Sequence, residues 1–144
     1  MIDQELLKKL KENFERGASQ AKIEDTQLVF EFLKQLAQEN EEIQEILEDA
    51  NIVVGVNVID KDTSFWLKAK GSDIEYGTGK VDNPTFIFEA EMDKAAGVIF
   101  GDIDPTQAYM AGDLVIQGNL QDALAFNDCI VVAIEIFEDM IQDL

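Results

Sequence analysis

Histidine is missing from this 144-residue chain altogether. Its absence excludes His-based nucleophilic triads, His-ligated zinc and the commonest general base. Cysteine occurs once, so no internal disulfide can form, which suits a reducing compartment. That residue, Cys129, lies in the run CIVVAI and reads as a small buried hydrophobe, not a nucleophile. Bases are scarce, eleven against thirty acids, for a net charge of −19. Phosphate backbones need a basic face, so this balance argues against nucleic acid and disfavours adsorption to anionic lipid. Long apolar runs are missing too. CIVVAI is far below the ~20 residues of a membrane span, and MIDQELLKKLKENF is charged from its first turns, unlike a signal peptide. The chain reads as soluble and cytoplasmic, without stable membrane insertion.

What is present is an apolar fraction of 47% in a chain of single-domain length, enough for a real core. Leu6, Leu7, Leu10 and Phe14 follow helical spacing and Gly17 stops them. GASQAK reads as a linker. A second helix opens near Asp25 or Thr26, carries Val29, Phe32, Leu33, Leu36 and Ala37 on one side, and continues past a break near Asn40 through Ile43, Ile46 and Leu47. After Ala50 the period changes to two. Ile52, Val54, Val56 and Val58 define a strand face; SFWLKAK and IEYGTGK follow after short polar turns, and TFIFEAE after VDNP. Connections this short predict antiparallel pairing.

MDKAAGVIFG returns to helical spacing. Asp104 is a good N-cap with Pro105 in the first helical position, and Gln107 can reach back as in a capping box. Gly112 ends that helix after Tyr109 and Met110. LVIQG supplies a fifth strand, and Asn119 caps the last helix. The β-branched run CIVVAIEIF favours a strand on composition. Its polar neighbours decide otherwise: Asp128, Glu135, Glu138, Asp139 and Gln142 fall within an arc of roughly 100° on a helical wheel. Residues 119–142 are therefore predicted helical, and unusually apolar around the rest of the circumference. That surplus, which includes Ile130 and Ile134, can line a cavity, meet a second subunit or pack on the N-terminal helices.

Catalytic and metal motifs fail in detail. DKDTSFWLKAKG begins like a calcium loop but lacks the glycine at its sixth position and the closing glutamate. GTGK at 77–80 has neither the spacing nor the hydroxyl residue of a P-loop and precedes a strand. No metal, cofactor or catalytic residue is expected.

The ordered pattern NPTFIFEAE followed by MDKAAGVIFGDIDPTQAYMAGDLVIQGNLQDAL resembles the sterol carrier protein type 2 family of lipid-binding domains. The elements are Gly101, Pro105, Ala108, Tyr109, Met110, Gly112, Leu114 to Ile116, then Gly118 with Asn119. The resemblance spans roughly residues 26–126. It implies an α+β fold, a five-stranded mainly antiparallel sheet covered by helices around a hydrophobic tunnel. Residues 1–24 would be an N-terminal helical extension and 25–144 the lipid-binding domain. It also implies a non-enzymatic binder of fatty acids, fatty acyl-CoA, sterols or other apolar molecules. The family's apolar wall positions fall on Phe86, Phe88, Ile99, Tyr109, Met110, Leu114, Ile116, Leu120 and Leu124; Ile130 and Ile134 of the apolar last helix join them as candidates. Two departures stand out. The animal carriers are basic where this chain is acidic, and MIQDL is not a peroxisomal SKL-type address. Competing with a carrier are an interaction or regulatory module whose tunnel is filled by side chains, as a homodimer or with another protein, and an accessory subunit presenting an apolar substrate to a partner enzyme.

Overall fold

The computed structural model describes residues 2–142. One layer is a five-stranded sheet of β1 (Asn51–Val58), β2 (Thr63–Lys70), β3 (Asp73–Thr78), β4 (Phe86–Ala90) and β5 (Val115–Gly118). Helices make the other layer: α1 (Gln4–Arg16), α2 (Ile23–Glu39), α3 (Glu41–Leu47), α4 (Met92–Ile99), α5 (Pro105–Ala111) and α6 (Leu120–Ile141). The α+β class and the five strands match the sequence expectation, and the sheet is open.

Alternation builds one continuous apolar row. Val56 of β1 stands opposite Phe65 of β2 and Phe88 of β4, and Phe88 stands opposite Ile116 of β5. Val54 is likewise matched by Leu67 and Phe86. All of these except Ile116 are buried, because strand residues two apart share the face that meets the helices.

One pairing departs from the antiparallel expectation. The order is β3-β2-β1-β4-β5, with β4 parallel to β1 and the other pairs antiparallel. Instead of turning back on β3, residues 79–85 cross to the far side of β1. Two bonds start the new pair: the Thr85 amide donates to the Val53 carbonyl at 2.7 Å, and the Val53 amide to Thr85 Oγ1 at 2.9 Å. The crossover lies close over Gly55, where a Cβ would sit 3.3 Å from Ile87 Cγ1 and 3.6 Å from Val81 Cγ1. A side chain larger than glycine would crowd the loop that carries the chain across.

The helix ends follow local chemistry with two corrections. The second helix starts at Ile23, not at Asp25 or Thr26. Asp25 falls inside its first turn and accepts from the Lys22 amide at 2.9 Å, while Arg16 of α1 lies 3.2 Å away. At α5, Asp104 caps the helix by accepting from the Thr106 amide at 2.9 Å, and the expected capping box with Gln107 does not form. Asn40 and Asn119 cap α3 and α6 as their side chains allow.

The apolar surplus of α6 is met largely by α1 and α2. Phe137 makes edge contacts with Phe14 of α1 and Phe32 of α2, at centroid distances of 4.8 and 5.6 Å. Phe14 also touches Phe100 beyond α4, at 5.0 Å. Leu6, Leu7 and Leu10 of α1 belong to the same core cluster as the sheet. A polar thread crosses this layer: the Asp3 amide donates to Gln35 Oε1, Gln35 Nε2 to Glu31, and the Tyr76 hydroxyl of β3 to Glu31. Burial and the Glu31 carboxylate together push the Tyr76 phenol up to about 12.

Truncating Phe137 leaves a cavity shared by three helices, so Phe137→Ala should cost roughly 3–5 kcal/mol. Urea unfolding followed by circular dichroism checks this; a loss below about 1 kcal/mol would mean the aromatic cluster is not the anchor of α1.

Candidate functional site

The candidate wall residues divide into an interior set and a surface set. Phe86, Phe88, Ile99, Leu114, Ile130 and Ile134 are buried in the core, and Ile116 is half-buried at its margin. They come from β4, α4, α6 and the residues at and just before β5, and all belong to one core cluster or pack against it. Phe86 and Phe88 touch edge to face at 5.2 Å, and Phe86 meets Phe126 of α6 at 6.0 Å. The fold thus packs Phe86 and Phe88 of β4 together and sets Phe126 of α6 against Phe86.

Tyr109, Met110 and Leu120 lie elsewhere. They are 45%, 80% and 43% exposed. The reason is the shortness of α5, whose seven residues give two turns. Pro105 and Ala108 take its inward positions and are buried, leaving Tyr109 and Met110 on the outside. Gly112 then closes the helix in the left-handed region at φ 84°, and the Asp113 and Leu114 amides both donate to the Ala108 carbonyl. At the next corner Gly118 has φ 97°, and a Cβ there would lie 2.5 Å from the Thr85 carbonyl oxygen. That close approach lets β5 end against β4 and α6 begin at once.

Two open grooves flank α6. One, of about 450 Å³, runs between α6 and the α3–β1 junction, lined by Ile46, Leu47, Ala50, Ile52, Ala125 and Phe126, with Cys129 at its base and Asp49 and Asp122 also lining it. The other, of about 660 Å³, lies between α6 and residues 101–106, where Leu124 and Val131 face Asp102, Asp104 and Asp128. The first has the apolar floor, and its Phe126 leads to Phe86 and the interior set. Leu124, half-buried, faces the second groove. Sequence reasoning missed Ile46, Ala125 and Phe126 as groove residues. The helical pattern around Ile46 and Phe126 carried the signal, but only the fold shows which neighbour each helix leaves uncovered.

The site carries little proton chemistry. Burial pushes the Cys129 thiol up to about 11, so at neutral pH it is a thiol and not a nucleophile. Among the described residues no cluster of three or more His, Cys, Asp or Glu could hold a metal ion. No helix among them is long and apolar enough to cross a membrane.

An open mixed sheet with helices on one face and apolar side chains between the layers defines a two-layer α+β class of domain. Within it, the chain belongs to the SCP-2 sterol transfer family, whose model matches residues 30–130; this is a family of lipid-binding and lipid-transfer domains, and no catalytic family is indicated. Solved structures share the fold. A crystal structure of sterol carrier protein 2 superposes with a TM-score of 0.57 at 18% identity, covering 74% of this chain and 94% of that one. The UbiJ-SCP2 ubiquinone synthesis protein gives 0.60 at 17% identity, over 75% and 94%. Sterol carrier protein 2 from Yarrowia lipolytica, in its apo form, gives 0.58 at 19% identity, over 72% and 87%. No curated protein matches the chain by sequence.

Because the folded thiol ionises near 11 while an exposed one ionises near 9.0, the unfolded state loses its proton first as pH rises. The stabilisation that burial of the neutral thiol confers is fully present below the lower value and is lost on passing through the upper one. Iodoacetamide at pH near 8 should therefore leave native Cys129 unmodified and alkylate it in denaturant, as read by intact mass. The alkaline loss of stability should also be shallower in Cys129→Ala.

Proposed function

We propose that this chain is a non-enzymatic cytoplasmic carrier that takes an apolar molecule of acyl-chain size through the groove between α6 and the α3–β1 junction. The observation that carries the reading is the apolar floor of that groove. Its Phe126 makes ring contact with Phe86 at 6.0 Å, and Phe86 in turn meets Phe88 of the buried face of β4. The N-terminal extension acts on this reading through α1 (Gln4–Arg16), which covers the far end of α6 at Phe137.

Uptake is driven by removing apolar surface from water. Burying on the order of 300 Å² of ligand surface at ~25 cal/mol per Å² supplies roughly 7 kcal/mol gross. Immobilising the ligand and shifting α6 subtract several kcal/mol, so an area of that size leaves an affinity on the order of millimolar with broad selectivity, and tighter binding calls for a longer apolar tail. Phe126 is the side chain whose rotation opens the groove inward, and Ile130 and Ile134 continue the same helix into the core. Fatty acids, acyl thioesters and sterol-like molecules are the ligand classes compatible with this mechanism.

A second reading draws on the likeness to the ubiquinone synthesis protein. An accessory subunit that presents an apolar substrate to a partner enzyme needs an outward face. Exposed Tyr109, Met110, Val115 and Leu120 gather on α5, β5 and the start of α6 to supply one. A homodimer would use the same face.

Ala125 is exposed and lines the groove, so Ala125→Trp should fill it without disturbing the core. Displacement of a fluorescent acyl probe should weaken by about tenfold or more, while Leu124→Trp in the opposite groove changes it by less than about threefold. The reverse result would move the site to the other side of α6. For the second reading, Met110→Glu should abolish any dimer seen by light scattering and leave probe binding intact; a dimer that persists would remove this face from consideration.

A further inference from the structure

All eleven bases of this chain lie at or before Lys94, and residues 95–144 carry nine acids and no base. That segment builds α5, β5 and α6. The last base, Lys94, is held 3.9 Å from Asp113. The open groove of about 660 Å³ between α6 and residues 101–106 lies wholly within the base-free segment. Its apolar side chains are Ile103, Pro105, Leu124 and Val131, and its charged ones are the carboxylates of Asp102, Asp104 and Asp128.

Both walls of this groove are fixed in place. Ile103 seats on Gly97 of α4, where an added Cβ would find no room. The Asp102 and Ile103 amides both donate to the Gly97 carbonyl, at 2.8 and 3.0 Å. On the other side, the lining residues Leu124, Asn127, Asp128 and Val131 fall with Leu120 in an arc of roughly 100° on α6. Leu120 and Val131 of that stripe are exposed and Leu124 is half-buried. On α5, Thr106 lines the groove, and Tyr109 and Met110 follow it at the spacing that shares a helix face. The groove therefore runs out onto the exposed apolar face of α5.

An apolar trough charged only by carboxylates repels anionic lipid and nucleic acid. It complements a helix that is apolar on one side and basic along its flanks. A second copy of this chain does not offer one. Its densest basic stretch, Lys8, Lys9 and Lys11, lies on α1, whose apolar side at Leu6, Leu7 and Leu10 is buried in its own core. We propose that the groove between residues 101–106 and α6 docks a cationic amphipathic helix of a partner protein. The apolar side of that helix lies on Leu124 and Val131, and its Lys or Arg flanks meet Asp102 and Asp128. The inference rests on the accessory-subunit reading above and supplies the partner's chemistry. Because the groove lies across α6 from the one assigned to the apolar cargo, partner and cargo are held on opposite sides of one helix.

Asp102, Asp128 and Val131 are exposed, so the double variant Asp102→Lys, Asp128→Lys and the single variant Val131→Gln leave the core untouched. Exposed Glu12 and Glu15 of α1 give a control, Glu12→Lys with Glu15→Lys, that changes the net charge equally at a distant site. The probe is a labelled Leu/Lys peptide of about five helical turns with one apolar face, beside a peptide of the same composition in scrambled order. Fluorescence anisotropy should show wild type binding the amphipathic peptide on the order of tenfold tighter than the scrambled one. The Asp102/Asp128 variant should lose about tenfold and Val131→Gln about threefold, while the Glu12/Glu15 control changes by less than about twofold. Equal binding of the two peptides, or equal loss in both charge variants, reduces the effect to attraction by an acidic chain and overturns the groove. Loss in Met110→Ser but in neither groove variant also overturns it, yet leaves the accessory-subunit reading standing on the outer face of α5. Wild type that self-associates in sedimentation, and ceases to do so with Asp102→Lys and Asp128→Lys, overturns the foreign partner in favour of a second copy. Wild type that binds neither peptide overturns this inference, and the Met110→Glu test then decides the accessory-subunit reading by itself.

Discussion

The apolar girth of α6 is the constraint around which the rest of the molecule is arranged. A helix of 22 residues with buried Ala123, Phe126, Cys129, Ile130, Ala133, Ile134 and Phe137 cannot be satisfied by one face of a short sheet. Its N-terminal half packs on β4 and β5, and its C-terminal half is covered by α1 and α2 through Phe14, Phe32 and Phe137. The helix that bears the candidate site is thereby anchored firmly at one end and flanked by open grooves at the other. Such a division suits a binding domain, because local opening can occur without loss of the core.

This arrangement also explains why a segment outside the family-matched residues 30–130 is part of the structural whole. Without α1, the rings of Phe100 and Phe137 would face water. The Arg16–Asp25 pair and the Asp3–Gln35–Glu31–Tyr76 thread tie the same helix to α2 and onward to β3. These polar links fix orientation more than they add stability, since partly exposed pairs contribute little.

Much was legible in the residues. Period-two alternation located β1 to β4, and Asn119 with the polar arc of Asp128, Glu135, Glu138 and Asp139 identified α6 as a helix despite its β-branched run. The Gly112 and Gly118 corners were visible for the same reason, since each position needs a backbone geometry that a side chain resists. The parallel placement of β4 was not legible. A short connection carries no record of which strand it will meet, and here the choice depended on Thr85 bonding to Val53 and on the gap above Gly55. Among the candidate site residues, interior Phe86, Phe88 and Ile130 followed from alternation and helical phase. Tyr109, Met110 and Leu120 did not, because apolarity alone does not say which side of a two-turn helix faces inward.

By itself the sequence determined the class of structure, the absence of histidine chemistry, the corners of the DPTQAYMAGDLVIQGN stretch and the excess of apolar surface on the last helix. These are local properties: backbone preference, periodicity and composition act over a few residues. Only the tertiary structure decided how that excess is shared between α1, α2 and the sheet, and which side of α6 keeps an apolar groove. Those outcomes depend on contacts between segments far apart in the chain, whose partners no single segment encodes.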